Sequence, residues 1–188
     1  MLNTVESILV MVDFQGKLAE IVDRSDLVLP NALRMVKGCQ ALGIPIIPTV
    51  QVPEKLGPII PELGEALAGI EPIAKSSFSA LRTSEFLVAL EESSRRQVIL
   101  MGIEAHVCVL QTGLDLLDAG YEVYALSDGV FSRTAENHQL ALQCLHDAGA
   151  FISSAEIALF EMIRTSEHPQ FRTISKLIKS SGTTSDIS

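Results

Sequence analysis

The sequence predicts an α/β domain of three layers built on a doubly wound, Rossmann-like parallel sheet of about six strands. Three observations predict it: short aliphatic runs recur along the chain, a longer amphipathic stretch follows most of them, and several of those stretches end in glycine. Near-continuous apolar runs without strict alternation suit strands covered on both faces. Strands alternating with helices call for parallel pairing through right-handed crossovers.

Each element has its own signal. Residues 8–12 are the first apolar run, and 30–42 read as a helix closed by Gly43, a residue suited to a C-terminal cap. Residues 44–50 are a second strand. The stretch 51–74 then breaks the rhythm, with four prolines and three glycines around a short helix signal at 62–68. In an open α/β fold such an excursion usually walls a site rather than forming a domain. A short apolar step at 72–74 precedes a helix at 84–92, and 98–103 is a further strand. Residues 106–119 and 134–148 read as helices, capped by Gly120 and Gly149, with strands at 123–126 and 151–152 and a helix at 155–162. Residues 164–179 carry four basic residues against one acidic one. Their helical part, 171–178, is expected to dock on the body or on another subunit. The reading is one domain over 1–179, with 180–188, mostly Ser, Thr and Gly, expected to be disordered.

Composition removes several function classes. The chain has 188 residues, 47% hydrophobic and 20% charged, enough for a sizeable core and too apolar for disorder as the main state. A net charge of −9 gives no general attraction to nucleic acid or to an anionic membrane. Three cysteines, at 39, 108 and 144, argue against a disulfide framework and for a reducing compartment. No basic segment precedes the first apolar run, so no targeting peptide is read there. The longest uncharged stretch, 38–53, holds three prolines and is no membrane helix. The expectation is a cytoplasmic protein.

In doubly wound folds ligands bind outside the C-terminal ends of the strands. Asp13 directly follows the first strand, and it reads equally as a functional acid or a loop cap. Lys75 follows the step at 72–74, where a solvated loop lysine is the plain alternative. Cys108 falls in the first turn of the helix expected from His106. A thiol there feels the positive end of the dipole, and free backbone N–H groups lie nearby; a buried packing cysteine is the alternative. Cys39 and Cys144, mid-helix among apolar neighbours, read as packing residues. Carboxylate, ammonium and thiol could converge on one pocket for attack on a carbonyl. Glu104, His106 and Cys108 alternate like ligands, but the chain is turning into a helix there, so no metal is expected. Gly-x-Gly-x-x-Gly and Walker loops are absent, and no cofactor is expected.

The chain resembles the isochorismatase-like cysteine hydrolases, a superfamily that includes nicotinamidases, N-carbamoylsarcosine amidohydrolases and isochorismatases. The resemblance rests on Val12-Asp13-Phe14-Gln15, on Lys75-Ser76-Ser77-Phe78-Ser79-Ala80, and on residues 102–112, Gly-Ile-Glu-Ala-His-Val-Cys-Val-Leu-Gln-Thr. Ser127-Asp128-Gly129-Val130 and Ser132-Arg133 are similar to the family's fifth-strand segment. Residues 51–57 and 168–172 resemble its short isochorismatase-domain group, some members of which carry a mitochondrial-associated ribonuclease name. The resemblance implies Asp13 as general base, Lys75 as charge stabiliser and Cys108 as nucleophile. It also implies a cis peptide between Ile103 and Glu104, with the Glu104 and Cys108 N–H groups aimed at an oxyanion. Phe14, Gln51, Phe78 and His106 are the expected pocket lining.

Nicotinamidases carry an Asp-x-His metal pattern where this chain has Gln51, Val52 and Pro53, so neither nicotinamide nor a metal is expected. The expected reaction is metal-free hydrolysis of a small amide, imide or related C–N bond through a thioester. Vinyl-ether hydrolysis of the isochorismatase kind is the alternative, and a catalytically idle interaction protein or an RNA-associated protein stands in another class. With a mean hydropathy of +0.33 and a family that commonly assembles, a homo-oligomer, at least a dimer, is expected.

Overall fold

The computed structural model describes residues 1–179, so the tail at 180–188 lies outside the described residues. Six strands form one all-parallel sheet in the order β3-β2-β1-β4-β5-β6. Strand β1 (Ser7–Val12) is wholly buried. It leads through the short helix α1 (Gly16–Ala19) and a 3-10 turn to α2 (Val28–Ala41). After β2 (Ile46–Gln51), the proline-rich excursion winds into two small helices, α3 (Pro53–Leu56) and α4 (Pro61–Ala66), before the edge strand β3 (Ile73–Lys75).

The chain then returns to the middle of the sheet. Helix α5 (Ser84–Glu92) precedes β4 (Gln97–Ile103), which pairs with β1 along its length from Gln97 beside Ser7 to Gly102 beside Val12. A π-helical turn (Ala105–Val109) runs into α6 (Leu110–Asp118), followed by β5 (Glu122–Phe131), α7 (Ala135–Asp147) and the other edge strand, β6 (Phe151–Ser153). Helices α8 (Ala155–Ile163) and α9 (Phe171–Lys179) close the described chain.

Side-chain alternation divides the core between two faces. Ile8, Val10 and Val12 of β1 point to the layer holding Phe86 of α5, Leu116 of α6 and Leu145 of α7. Leu9 and Met11 point to the opposite layer, with Met35 of α2, Leu159 of α8 and Ile174 of α9. Burial of both faces explains the unbroken apolar runs. Helix α9 docks on the body through Ile174, with Phe171, Leu177 and Ile178 packed beside it. Its Arg172, Lys176 and Lys179 are left exposed.

Two departures from the expected elements have local causes. Strand β5 runs past Leu126 to Phe131 because a register shift bulges Ser127, Asp128 and Gly129, poor strand formers, out of the pairing with β4, which resumes at Val130 beside Gly102. The helix expected from His106 opens as a π turn, so α6 itself starts only at Leu110. Where the chain reverses between β1 and β4, the sheet has its topological switch point, the usual place for a ligand in such folds.

Candidate active site

Asp13 is the first residue past β1 and takes a left-handed backbone conformation, φ 55°, which Asp tolerates better than most residues. Its N–H donates to the Thr49 carbonyl at 3.1 Å, and the Thr49 hydroxyl donates to its Oδ1 at 2.8 Å. On the edge strand two places away, β3 ends at Lys75, whose Nζ lies 2.6 Å from Asp13 Oδ2. Neither side chain of this pair has any exposed surface. The ammonium also donates to Gln51 Oε1 at 2.6 Å and lies 3.3 and 3.2 Å from the Ser77 and Phe78 carbonyl oxygens.

Cys108 comes from the third strand end, in the π turn after β4. It is buried, and Asp13 and Lys75 are the two charged groups that act on its thiol. Its thiol is pushed up to about 12, first by burial and then by the Asp13 carboxylate, while the Lys75 ammonium pulls the other way. The resting site therefore holds a neutral thiol beside an ion pair. The Ile103–Glu104 peptide is cis. Gly102, at φ 150°, lets β4 come close to β1 here: a Cβ would sit 2.6 Å from Val12 Cβ.

The residues expected to line a pocket have separate fates. Phe14 has no exposed surface and packs in the core on the α2 side of the sheet. Gln51 is buried and bonded to Lys75. Phe78 is half exposed just past the lysine, and His106 is partly buried with Nδ1 3.0 Å from Ser132 Oγ. Glu104 turns to Arg133, 2.8 Å from its Nε, so the alternating Glu104-His106-Cys108 set diverges. Among the described residues no three His, Cys, Asp or Glu side chains gather as a metal site.

The other cysteines differ from each other. Cys39 is fully buried in α2, and burial alone pushes its thiol up to about 12. Cys144 is exposed on α7, which corrects its reading as a packing residue. Ala141 and Leu145 of the same helix are buried, while Leu140, one turn before Cys144, is exposed with it.

Thr49 was not singled out from the sequence, and Gln15 and Ser132 stood in the quoted motifs without a role. A signal existed for Thr49: it stands two residues before Gln51 in an otherwise apolar strand, which puts both on the face of Ile47. A cavity of about 260 Å³ opens at the end of β5, lined by Asp23, Ser127, Asp128, Ser132 and His138 among others. It does not include Asp13, Lys75 or Cys108, and it meets their surroundings through the Ser132–His106 contact.

A model of the isochorismatase domain matches residues 7–157, from β1 to the start of α8. Isochorismatase domain-containing protein 2 of Danio rerio is 37% identical over 177 residues, covering 94% of this chain and 89% of the relative. Among solved structures, the MAR1 ribonuclease from Caenorhabditis elegans superposes with a TM-score of 0.90 at 34% identity, covering 100% of this chain and 96% of that one. The YcaC gene product from Escherichia coli, described as an octameric hydrolase of unknown specificity, shares the fold at a TM-score of 0.85 and 21% identity, with 95% and 96% covered. Matched along most of its length by the domain model and by these relatives, the chain belongs to the isochorismatase-domain family, a family of isochorismatase-like hydrolases.

Proposed function

We propose that the protein hydrolyses a small amide, imide or related C–N bond with Cys108 as nucleophile, Asp13 as general base and Lys75 as charge stabiliser. The observation that carries the reading is the buried Lys75–Asp13 pair, both members of which act electrostatically on the buried Cys108 thiol. A thiol held neutral at rest becomes a nucleophile by passing its proton to Asp13 as sulfur bonds to the carbonyl carbon. That transfer moves the negative charge from carboxylate to sulfur without changing the net charge, and Lys75 lies beside both. The carbonyl electrons move onto oxygen, toward the N–H groups of Glu104 and Cys108 as oxyanion donors. Collapse breaks the C–N bond, Asp13 returns its proton to the leaving nitrogen, and a thioester remains. Asp13 then takes a proton from water, whose oxygen attacks the thioester to release the acid and restore the thiol.

Assembly into a homo-oligomer fits the surface. Phe151 and Ile152 on the edge strand, with Ile157 and Phe160 on the following helix, are exposed, and a protein of this fold is described as an octamer. One relative bears a ribonuclease name, yet the net charge of −9 opposes an anionic substrate here. The test is a screen of amides, imides and carbamoyl compounds beside Cys108→Ala, with intact-mass measurement of an acyl adduct. Turnover lost in the variant, with an adduct mapped to Cys108, is expected. Full turnover by Cys108→Ala would overturn the reading.

A further inference from the structure

We propose that Gln51 is a positioning residue of this site: its amide oxygen fixes the Lys75 ammonium between Asp13 and Cys108 without adding charge. The proposal rests on the hydrolase reading for what the site does.

An ammonium has three protons to place. Around Lys75 Nζ two oxygens are close, Asp13 Oδ2 and Gln51 Oε1, both at 2.6 Å, and the two backbone carbonyls are longer by more than half an ångström. Gln51 thus supplies one of the two short bonds that set where the charge sits. Its own amide is oriented, because Nε2 donates to the Ser76 carbonyl at 2.7 Å and leaves Oε1 for the lysine. Its backbone is clamped by the wholly buried Gln15. Gln15 Oε1 accepts from the Gln51 N–H at 2.8 Å, and Gln15 Nε2 donates to the Gln51 carbonyl at 3.0 Å and to the Gly57 carbonyl at 2.6 Å. Polar side chains therefore link the segment after β1 to the end of β2, and the end of β2 to the end of β3.

A neutral acceptor matters at this point. With Asp13 ionised and Lys75 protonated the pair is neutral, and passing the thiol proton to Asp13 leaves the net charge of the three groups at zero. A carboxylate at position 51 would set an uncompensated negative charge beside the forming thiolate, in a buried place where like charges strongly oppose each other. Of the other polar groups nearby, Glu104 pairs with Arg133, Asp115 with Ser79 and Arg82, and His106 with Ser132.

The test needs no substrate. In a Cys144→Ser background, iodoacetamide labelling of Cys108 is followed by mass mapping across a pH series for wild type, Gln51→Glu and Gln51→Met, with thermal melts alongside. Gln51→Glu is expected to move the labelling profile alkaline and slow labelling at a fixed pH by about tenfold, the equivalent of one pKa unit. Gln51→Met, which lacks the acceptor, is expected to slow labelling because the ammonium loses a short bond and no longer holds its place beside the sulfur. If Gln51→Glu does not fold, Gln51→Met decides. Folded variants that follow the wild-type profile would make Gln51 a packing residue and overturn the proposal. A wild-type Cys108 that labels no faster than Cys39 would instead fail the hydrolase reading itself.

Discussion

Gly102→Ala tests whether the close approach of β1 and β4 sets the distance between base and nucleophile. An added Cβ would lie 2.6 Å from Val12 Cβ and 2.9 Å from the Val12 carbonyl carbon, and nearer still to the Val12 carbonyl oxygen. Carbon atoms in contact ordinarily sit about 3.5–4.0 Å apart, so the strand ends must part by roughly 1 Å. Overpacking costs about 1–3 kcal/mol, and an alanine at φ 150° adds about 1–3 kcal/mol of backbone strain. At about 2–4 °C per kcal/mol for a chain of this size, the melting temperature should fall by roughly 5–20 °C. Val12 adjoins Asp13 and Gly102 lies six residues before Cys108, so the shift should also pull thiol from carboxylate. A misplacement of about 1 Å costs on the order of a hundredfold in rate. Differential scanning calorimetry reads the first effect and iodoacetamide labelling of Cys108 the second. A variant that melts within about 2 °C of wild type and labels at the wild-type rate would refute the close-approach argument.

Three further outcomes are expected. Lys75→Met should destabilise by about 3–5 kcal/mol in urea melts by leaving the buried Asp13 carboxylate unpaired, and Asp13→Asn added to it should recover part of the loss; simple additivity of the two single losses would contradict this. Folded-state thiols at about 12 for Cys39 and Cys108 against an ordinary 9.0 mean that their contribution is complete below pH 9.0 and is lost as pH rises toward about 12, at up to about 1.4 kcal/mol per pH unit for each thiol. Cys39→Ala should flatten that alkaline fall, and an unchanged slope would refute it. Light scattering should give a mass well above the 20.3 kDa of one chain, and a value near it at micromolar concentration would refute self-association.

The sheet was legible because its strands are buried on both faces, which leaves long aliphatic runs that composition alone exposes. Five strands came out of that pattern, the sixth, β3, showing only as a short apolar step at 72–74, and the glycines at 43, 120 and 149 do take positive φ at helix ends. Helices α1 and α3, four residues each, were not read because one turn has no periodicity to detect. The π turn at Ala105–Val109 was also beyond reach, since its five residues would suit an α-helix equally well. The core position of Phe14 was beyond reach for a related reason: it follows the left-handed turn at Asp13, and spacing cannot foresee where such a turn sends the next side chain.

The geometry also accounts for polar residues in β2. Asp13 and Cys108 follow neighbouring strands, but Lys75 stands on an edge strand with β2 between it and the base. A lysine must cross that strand to reach Asp13, and every polar atom on the way must be satisfied in a dry interior. Thr49 and Gln51, on one face of β2, do this. Thr49 holds Asp13 Oδ1 while Gln51 holds the ammonium, so each member of the ion pair has a second, neutral partner. Replacing Thr49 by valine would remove one of these and leave Oδ1 as a buried carboxylate oxygen without that donor, a cost of about 1–3 kcal/mol or more. It would also leave the negative charge less stabilised on Asp13. Proton transfer from Cys108 to Asp13 would then be easier, so Thr49→Val should lower stability in urea melts and speed Cys108 labelling together. Lower stability with slower labelling would mean that Thr49 orients Asp13 more than it stabilises its charge.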